Sequence, residues 1–137
     1  SVSLFEHIDN VSSAIKEVNR ILKHCGIAWI SIHLYPSLSG GHHYEWMYPD
    51  KYKKRIVPPW GHLLDNRYPV NIYLNKMTLN QYRNIFSKEI DILDEKLIYE
   101  KVDESLLATA SILNNQGYSQ EDLFTRAVIF TCGKKER

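Results

Sequence analysis

Between Phe5 and Leu34 the chain reads FEHIDNVSSAIKEVNRILKHCGIAWISIHL, and the spacing of its apolar positions changes once. Val11, Ala14, Ile15, Val18, Ile21 and Leu22 recur three and four residues apart, which sets them on one face of a helix. The pattern predicts a helix over 10–24, with Asp9 or Asn10 capping its first amides. Lys23 and His24 lie at the negative end of its dipole, and Gly26 is placed to end it in a left-handed C′ conformation. Residues 27–34 then run IAWISIHL, too continuously apolar for a strand with one wet face. Such a run predicts an interior strand of a parallel sheet covered by helices on both faces. Helix and strand together form half of a βαβ crossover whose first strand is missing or nearly so.

Periodicity disappears from 35 to 77. This segment holds all five prolines and much of the aromatic content, punctuated by Ser-Gly-Gly and Pro-Pro turns. Its aromatic residues argue against disorder, so it reads as an ordered lid or binding loop over the carboxyl edge of the sheet. Thr78 opens a short amphipathic helix over 78–88, with Gln81 completing a capping box. A strand follows over 90–99, and a helix capped by Asp103 extends over 104–116 to the stop at Gly117. Ser119 with Asp122 marks one more helix start before a final strand over 126–132.

The run LFEHIDN followed by AIKEVNRILKHCGIAWISI resembles the segment after the fourth strand of class I S-adenosylmethionine-dependent methyltransferases. That family carries an E-H-[VI]-x-[DN] turn and a helix ending R-[VI]-L-K-x-x-G before its fifth strand. Glu6, His7, Ile8, Arg20, Ile21, Leu22, Lys23 and Gly26 fall on the pattern, while His24-Cys25 replaces the usual Pro-Gly. The resemblance implies an α/β fold: the C-terminal half of a Rossmann-like sheet, parallel strands plus an antiparallel final strand (126–132) beside 27–34, with an aromatic-rich insertion. One domain then spans 1–137, with 35–77 as its substrate-side insertion or lid. The cofactor implied is S-adenosylmethionine, bordered by Val2, Ser3, Phe5 and Glu6, with His7 facing the junction of cofactor and substrate. The implied activity is methyl transfer to a small-molecule acceptor, this chain supplying the substrate side. No G-x-G-x-x-G turn is present, the only glycine pair being Gly40-Gly41, so the cofactor-binding half is expected to lie elsewhere. A fragment of this kind is expected to meet its missing N-terminal half or to self-associate, and to bind the cofactor weakly or not at all. Two other readings stand beside this one: a non-catalytic methyltransferase-like interaction module, and a metal-dependent enzyme built on the histidine loop.

Composition narrows the partners. A formal net charge of +1 over 137 residues lacks the basic excess of a nucleic-acid binder. No apolar stretch reaches the ~20 residues that span a bilayer. Cys25 and Cys132, with no CxxC, read as reduced thiols of a cytoplasmic protein. His42, His43 and His62 are candidate general bases, because imidazole titrates near neutrality, and they equally suit packing on loop tyrosines. With Glu45 they also suit zinc or iron, although adjacent His42 and His43 point apart in extended chain. Tyr35, Tyr44, Trp46 and Trp60 either line a substrate pocket or form the core of the insertion. Lys51, Lys53, Lys54 and Arg55 read as a solvated surface or as contacts to an anionic substrate.

Overall fold

Helix α1 (Val11–Ile21) starts where Asn10 accepts a hydrogen bond from the Ser13 amide at 2.9 Å. In this computed structural model, which describes residues 1–64 and 67–136, Asp9 has a different task and accepts from the Tyr73 hydroxyl. The helix stops three residues short of 24, where Leu22 leaves the helical conformation and a cation from elsewhere satisfies the last carbonyls. Lys134 Nζ donates to the carbonyls of Asn19, Arg20 and Leu22 at 3.1, 3.3 and 2.7 Å, the favourable pairing for a helix C-terminus. Cys25, not Gly26, takes the left-handed conformation, at φ 61°. Gly26 is required for space: a Cβ there would sit 2.8 Å from the Lys23 carbonyl oxygen.

Chain order continues through β1 (Ile27–His33), the single-turn helices α2 (Tyr44–Met47) and α3 (Gly61–Leu64), and α4 (Leu79–Glu89). Then come β2 (Asp91–Tyr99), a 3-10 turn at Glu104–Leu106, α5 (Leu107–Asn115), α6 (Gln120–Phe124) and β3 (Thr125–Gly133). Local chemistry sets most of these boundaries. The Thr78–Gln81 capping box is complete, Asp103 and Ser119 cap their turns, and Gly117 adopts φ 104°.

The sheet has the order β1-β3-β2, and β3 runs antiparallel to both neighbours, with Ile30 opposite Phe130 and Leu97 opposite Val128. β1 and β2 therefore point the same way while β3 returns between them. The antiparallel pairing of the final strand with β1 is as expected, but this arrangement corrects the expected half of a Rossmann-like sheet with parallel ladders: both ladders are antiparallel. It also corrects the placing of 27–34 as an interior strand. β1 is an edge of the three-stranded sheet; residues 1–3 run along part of its outer side, through the parallel bridge Val2–Ser31 and the Ser1 nitrogen, which donates to the Trp29 carbonyl at 2.8 Å. The apolar run misled because its two faces differ. Ile30 and Ile32 are buried under helices, whereas Ile27 and Trp29 remain 58% and 47% exposed. Continuous hydrophobicity here marks an uncovered face, not burial on both.

α1 and α4 cover the other face. Phe5, Val11 and Ile15 meet Tyr82 and Phe86 over Ile30, Ile32, Val128, Phe130 and Cys132. The Phe86 ring lies 4.7 Å from that of Phe130 and 5.6 Å from that of Phe5. A second core joins segment 35–77, of which residues 65 and 66 lie outside the described ones, to the last helices. Leu38, Trp46 and Trp60 pack there with Leu106, Ala110, Leu113 and Leu123. Arg83 ties α4 to both β2 and α6 through Glu95 and Glu121. No helix among the described residues is long and apolar enough to cross a membrane. Both cysteines are free, Cys25 exposed and Cys132 buried, with burial pushing the Cys132 thiol up to about 11.

Because Phe86 is fully buried at the centre of the first core, Phe86→Ala should cost roughly 3–5 kcal/mol in urea denaturation. A loss under about 1 kcal/mol would mean that the aromatic contacts do not hold the helices to the sheet.

Candidate functional site

The turn Phe5–His7 sits beside β1 and is fixed by one side chain. Asn75 Nδ2 donates to the carbonyls of Phe5 and Ile8 at 2.8 and 2.9 Å, and the Asn75 amide donates to the Glu6 carbonyl at 2.9 Å. Its Oδ1 accepts in turn from the Tyr82 hydroxyl and the Met77 amide. His7 Nδ1 lies 2.9 Å from the Tyr73 carbonyl oxygen. A carbonyl can only accept, so Nδ1 carries a proton, and Nε2 is the nitrogen turned toward Glu6. That nitrogen lies 4.0 Å from Glu6 Oε1. Glu6 is 2% exposed, and neither of its carboxylate oxygens has a hydrogen-bond partner. Burial raises its pKa; the Glu6 amide, the His7 ring and the His33 amide pull the other way, though neither amide meets hydrogen-bond geometry.

The glycine pair brings a second imidazole to the turn. A Cβ on Gly40 would fall 2.1 Å from the Tyr35 carbonyl oxygen, and one on Gly41 would fall 2.5 Å from the His62 ring. Only glycines let the chain double back so tightly after β1. His42 follows at φ 58°, its ring edge-on to His7 at 5.3 Å and nearly parallel to His33 at 4.8 Å. His33 Nε2 lies 2.8 Å from Ser39 Oγ, Ser39 donates to Glu100, and Arg126 Nη1 stands 3.6 Å from the Glu100 carboxylate. Burial is the main cause that lowers His33 to about 3 and His42 to about 4, helped by neighbouring charges. Both rings are neutral at pH 7.

The other residues singled out in the sequence scatter. Val2 is exposed, Ser3 pairs with Ser31, and Phe5 belongs to the first core. His62 stands apart with Nε2 2.8 Å from the Tyr35 carbonyl oxygen, and Tyr35 packs edge-on against its ring. His43 faces His62 at 6.5 Å, its Nε2 buried without a partner. Glu45 accepts from the amides of Ile56 and Val57, so His42, His43, Glu45 and His62 do not converge on one point. Trp46 and Trp60 are core; Trp46 donates to the Val57 carbonyl, and the Arg55 guanidinium lies 4.2 Å over its ring. Tyr44 is exposed and stacks on Tyr48. A cleft of about 400 Å³ borders His42, His43 and Tyr44. Asn75, His33, Ser39 and Glu100 went unmarked in the sequence. A histidine ending an apolar strand, with a glycine pair in the loop that follows, is the one available signal.

What fold and site define is a small α/β domain with an antiparallel sheet, an apolar edge strand and a buried histidine–carboxylate cluster beside that edge. No family model and no curated protein matches the chain. A solved structure does: a complex between the Haloferax volcanii Trm112 methyltransferase activator and a protein described as a methyltransferase. The likeness has a TM-score of 0.51 at 14% identity, covering 100% of this chain and 53% of the matched one. The chain thus spans about half the length of the chain it matches, and the likeness is one of fold. The expectation of a catalytic, substrate-side half of a methyltransferase is corrected by these findings. The sheet lacks the expected parallel ladders, and the match is to a chain from an activator complex.

Proton linkage at the buried rings gives a testable consequence. In the folded chain His33 falls to about 3 and His62 to about 4, against an ordinary 6.5. Between those values the unfolded chain binds protons that the folded chain refuses, so stability is full above about pH 6.5 and is lost as pH falls toward 4. Glu6, raised from its ordinary 4.5, acts in the opposite sense as one group against several. The urea midpoint should therefore drop from pH 7 to pH 4.5, and His62→Gln should flatten the slope. An equally steep slope in His62→Gln would show that this ring is not held neutral by the fold.

Proposed function

We propose that this chain is a non-catalytic, methyltransferase-like interaction module that docks on a methyltransferase chain through the outer edge of β1. The observation that carries the reading is the chemistry of that edge. Beyond the Val2–Ser31 bridge, the outward amides of Ile27 and Trp29 have no backbone partner among the described residues. The exposed side chains of Val2, Leu4, Ile27 and Trp29 make the border apolar. The opposite edge, β2, carries Asp91, Asp94, Glu95 and Lys96, the charges that keep a free edge from pairing. A strand added to β1 gains backbone hydrogen bonds and covers Trp29 at once. Support for a methyltransferase as the partner is the fold likeness to a chain from an activator–methyltransferase complex. In this assembly S-adenosylmethionine belongs to the partner, since this chain has no glycine-rich turn to hold it.

Co-expression with methyltransferase subunits of the same cell tests the docking, read by light scattering. A stoichiometric complex is expected, with Trp29→Glu weakening it by about 2 kcal/mol, roughly 30-fold, while circular dichroism stays unchanged. Indifference of the complex to Trp29→Glu, or a chain that remains monomeric beside every such subunit, would overturn the reading. Calorimetry supplies a second check: micromolar binding of S-adenosylmethionine by the isolated chain would place the cofactor here instead of on the partner.

A further inference from the structure

Glu6, His7 and His42 each offer one ligand atom, and these atoms all lie within 4.8 Å of one another. Zinc bonds of about 2.0–2.2 Å would set such atoms roughly 3.3–3.6 Å apart in a tetrahedral site, so closing around an ion needs movements of about 1 Å. The strongest sign of a ligand is Glu6. A carboxyl group 2% exposed with both oxygens lacking a hydrogen-bond partner is costly to bury unless something compensates it. The second sign is His7, whose Nδ1–H···O=C bond to Tyr73 leaves Nε2 as the nitrogen turned toward Glu6. That arrangement is the one by which a carbonyl orients a metal-binding imidazole. The third sign is His42, whose Nε2 is buried without a partner and whose ring is held against His33, itself tied to Ser39.

We propose that Glu6, His7 and His42 bind one first-row divalent transition-metal ion through a Glu6 carboxylate oxygen, His7 Nε2 and a His42 ring nitrogen. Two imidazoles and one carboxylate suit zinc or iron, whereas magnesium and calcium prefer sets of oxygens. Three protein ligands leave at least one position open. The His7 side chain is 32% exposed, so that position opens toward solvent. Asn75 and Tyr73 position the pair Glu6–His7, and the glycine pair brings in His42. The site does not depend on the docking of β1, and its test is separate.

The experiment uses the whole chain, stripped with a chelator and titrated with Zn²⁺ by calorimetry, with Co²⁺ absorption as a second probe. One Zn²⁺ per chain is expected, with the His7 and His42 imidazole NMR resonances shifting and those of His62 and His24 staying. Glu6→Gln and His42→Ala should each lose at least ~100-fold in affinity, while His24→Ala, at the exposed His24–Glu136 pair, should bind as the wild type does. Zn²⁺ should also raise the melting temperature of the wild type but not of Glu6→Gln. The NMR readout stands even where a variant fails to fold. Absence of stoichiometric uptake by the wild type, shifts centred on other histidines, or unchanged binding in folded Glu6→Gln would overturn the proposal.

Discussion

Much of this molecule's local order converges on the carboxamide of Asn75. It donates to the carbonyls of Phe5 and Ile8, accepts from Tyr82 and Met77, and its own amide holds the carbonyl of Glu6. A turn of three residues has too few internal hydrogen bonds to keep its shape, and this clamp supplies the missing ones from a distant part of the chain. Phe5 is thereby directed into the first core, where its ring meets Phe86, while Glu6 and His7 are directed along the edge of β1. The same residue therefore links packing to chemistry.

The glycine pair does the corresponding work on the other flank. Because Gly40 and Gly41 press against the Tyr35 carbonyl and the His62 ring, the chain leaves β1 and returns within a few residues. His42 is carried back over His33 and up to His7. Burial then holds His33 and His42 in the neutral form. The result is a cluster of ring nitrogens around one buried carboxyl group. The sheet edge beside it is apolar and open, whereas the far edge is guarded by charge. Site and open edge are thus consequences of the same strand.

Much of the secondary structure was legible in the sequence, for physical reasons that can be named. The three-and-four spacing from Val11 to Leu22, the Thr78–Gln81 box and the stop at Gly117 are local signals, and each has its structural counterpart. The end of α1 was not legible, because Lys134, more than a hundred residues away, supplies its cap. Nor was the edge position of β1, although its antiparallel pairing with the final strand was expected from the family resemblance. A continuous apolar run is compatible with burial on two faces or with one face awaiting a partner, and periodicity cannot separate these. Tryptophans in the insertion posed the same ambiguity; Trp46 and Trp60 proved to be core. Of the candidate site, His42 could be singled out from residue type and the glycines before it, and His7 only through the family resemblance. Asn75 could not, since an asparagine in an aperiodic loop has many uses and only the fold reveals which carbonyls it meets.

The central claim is that the outer edge of β1 is open in the isolated chain and closed by a partner strand. Hydrogen exchange at single-residue resolution tests it directly. In the isolated monomer the amides of Ile27 and Trp29 should exchange fast, while those of Ala28, Ile30 and Ile32, which face β3, should be protected. In the complex with the methyltransferase subunit, Ile27 and Trp29 should become protected to a similar degree. Equal protection of all five amides in the isolated monomer, or no change at Trp29 on complex formation, would contradict the account.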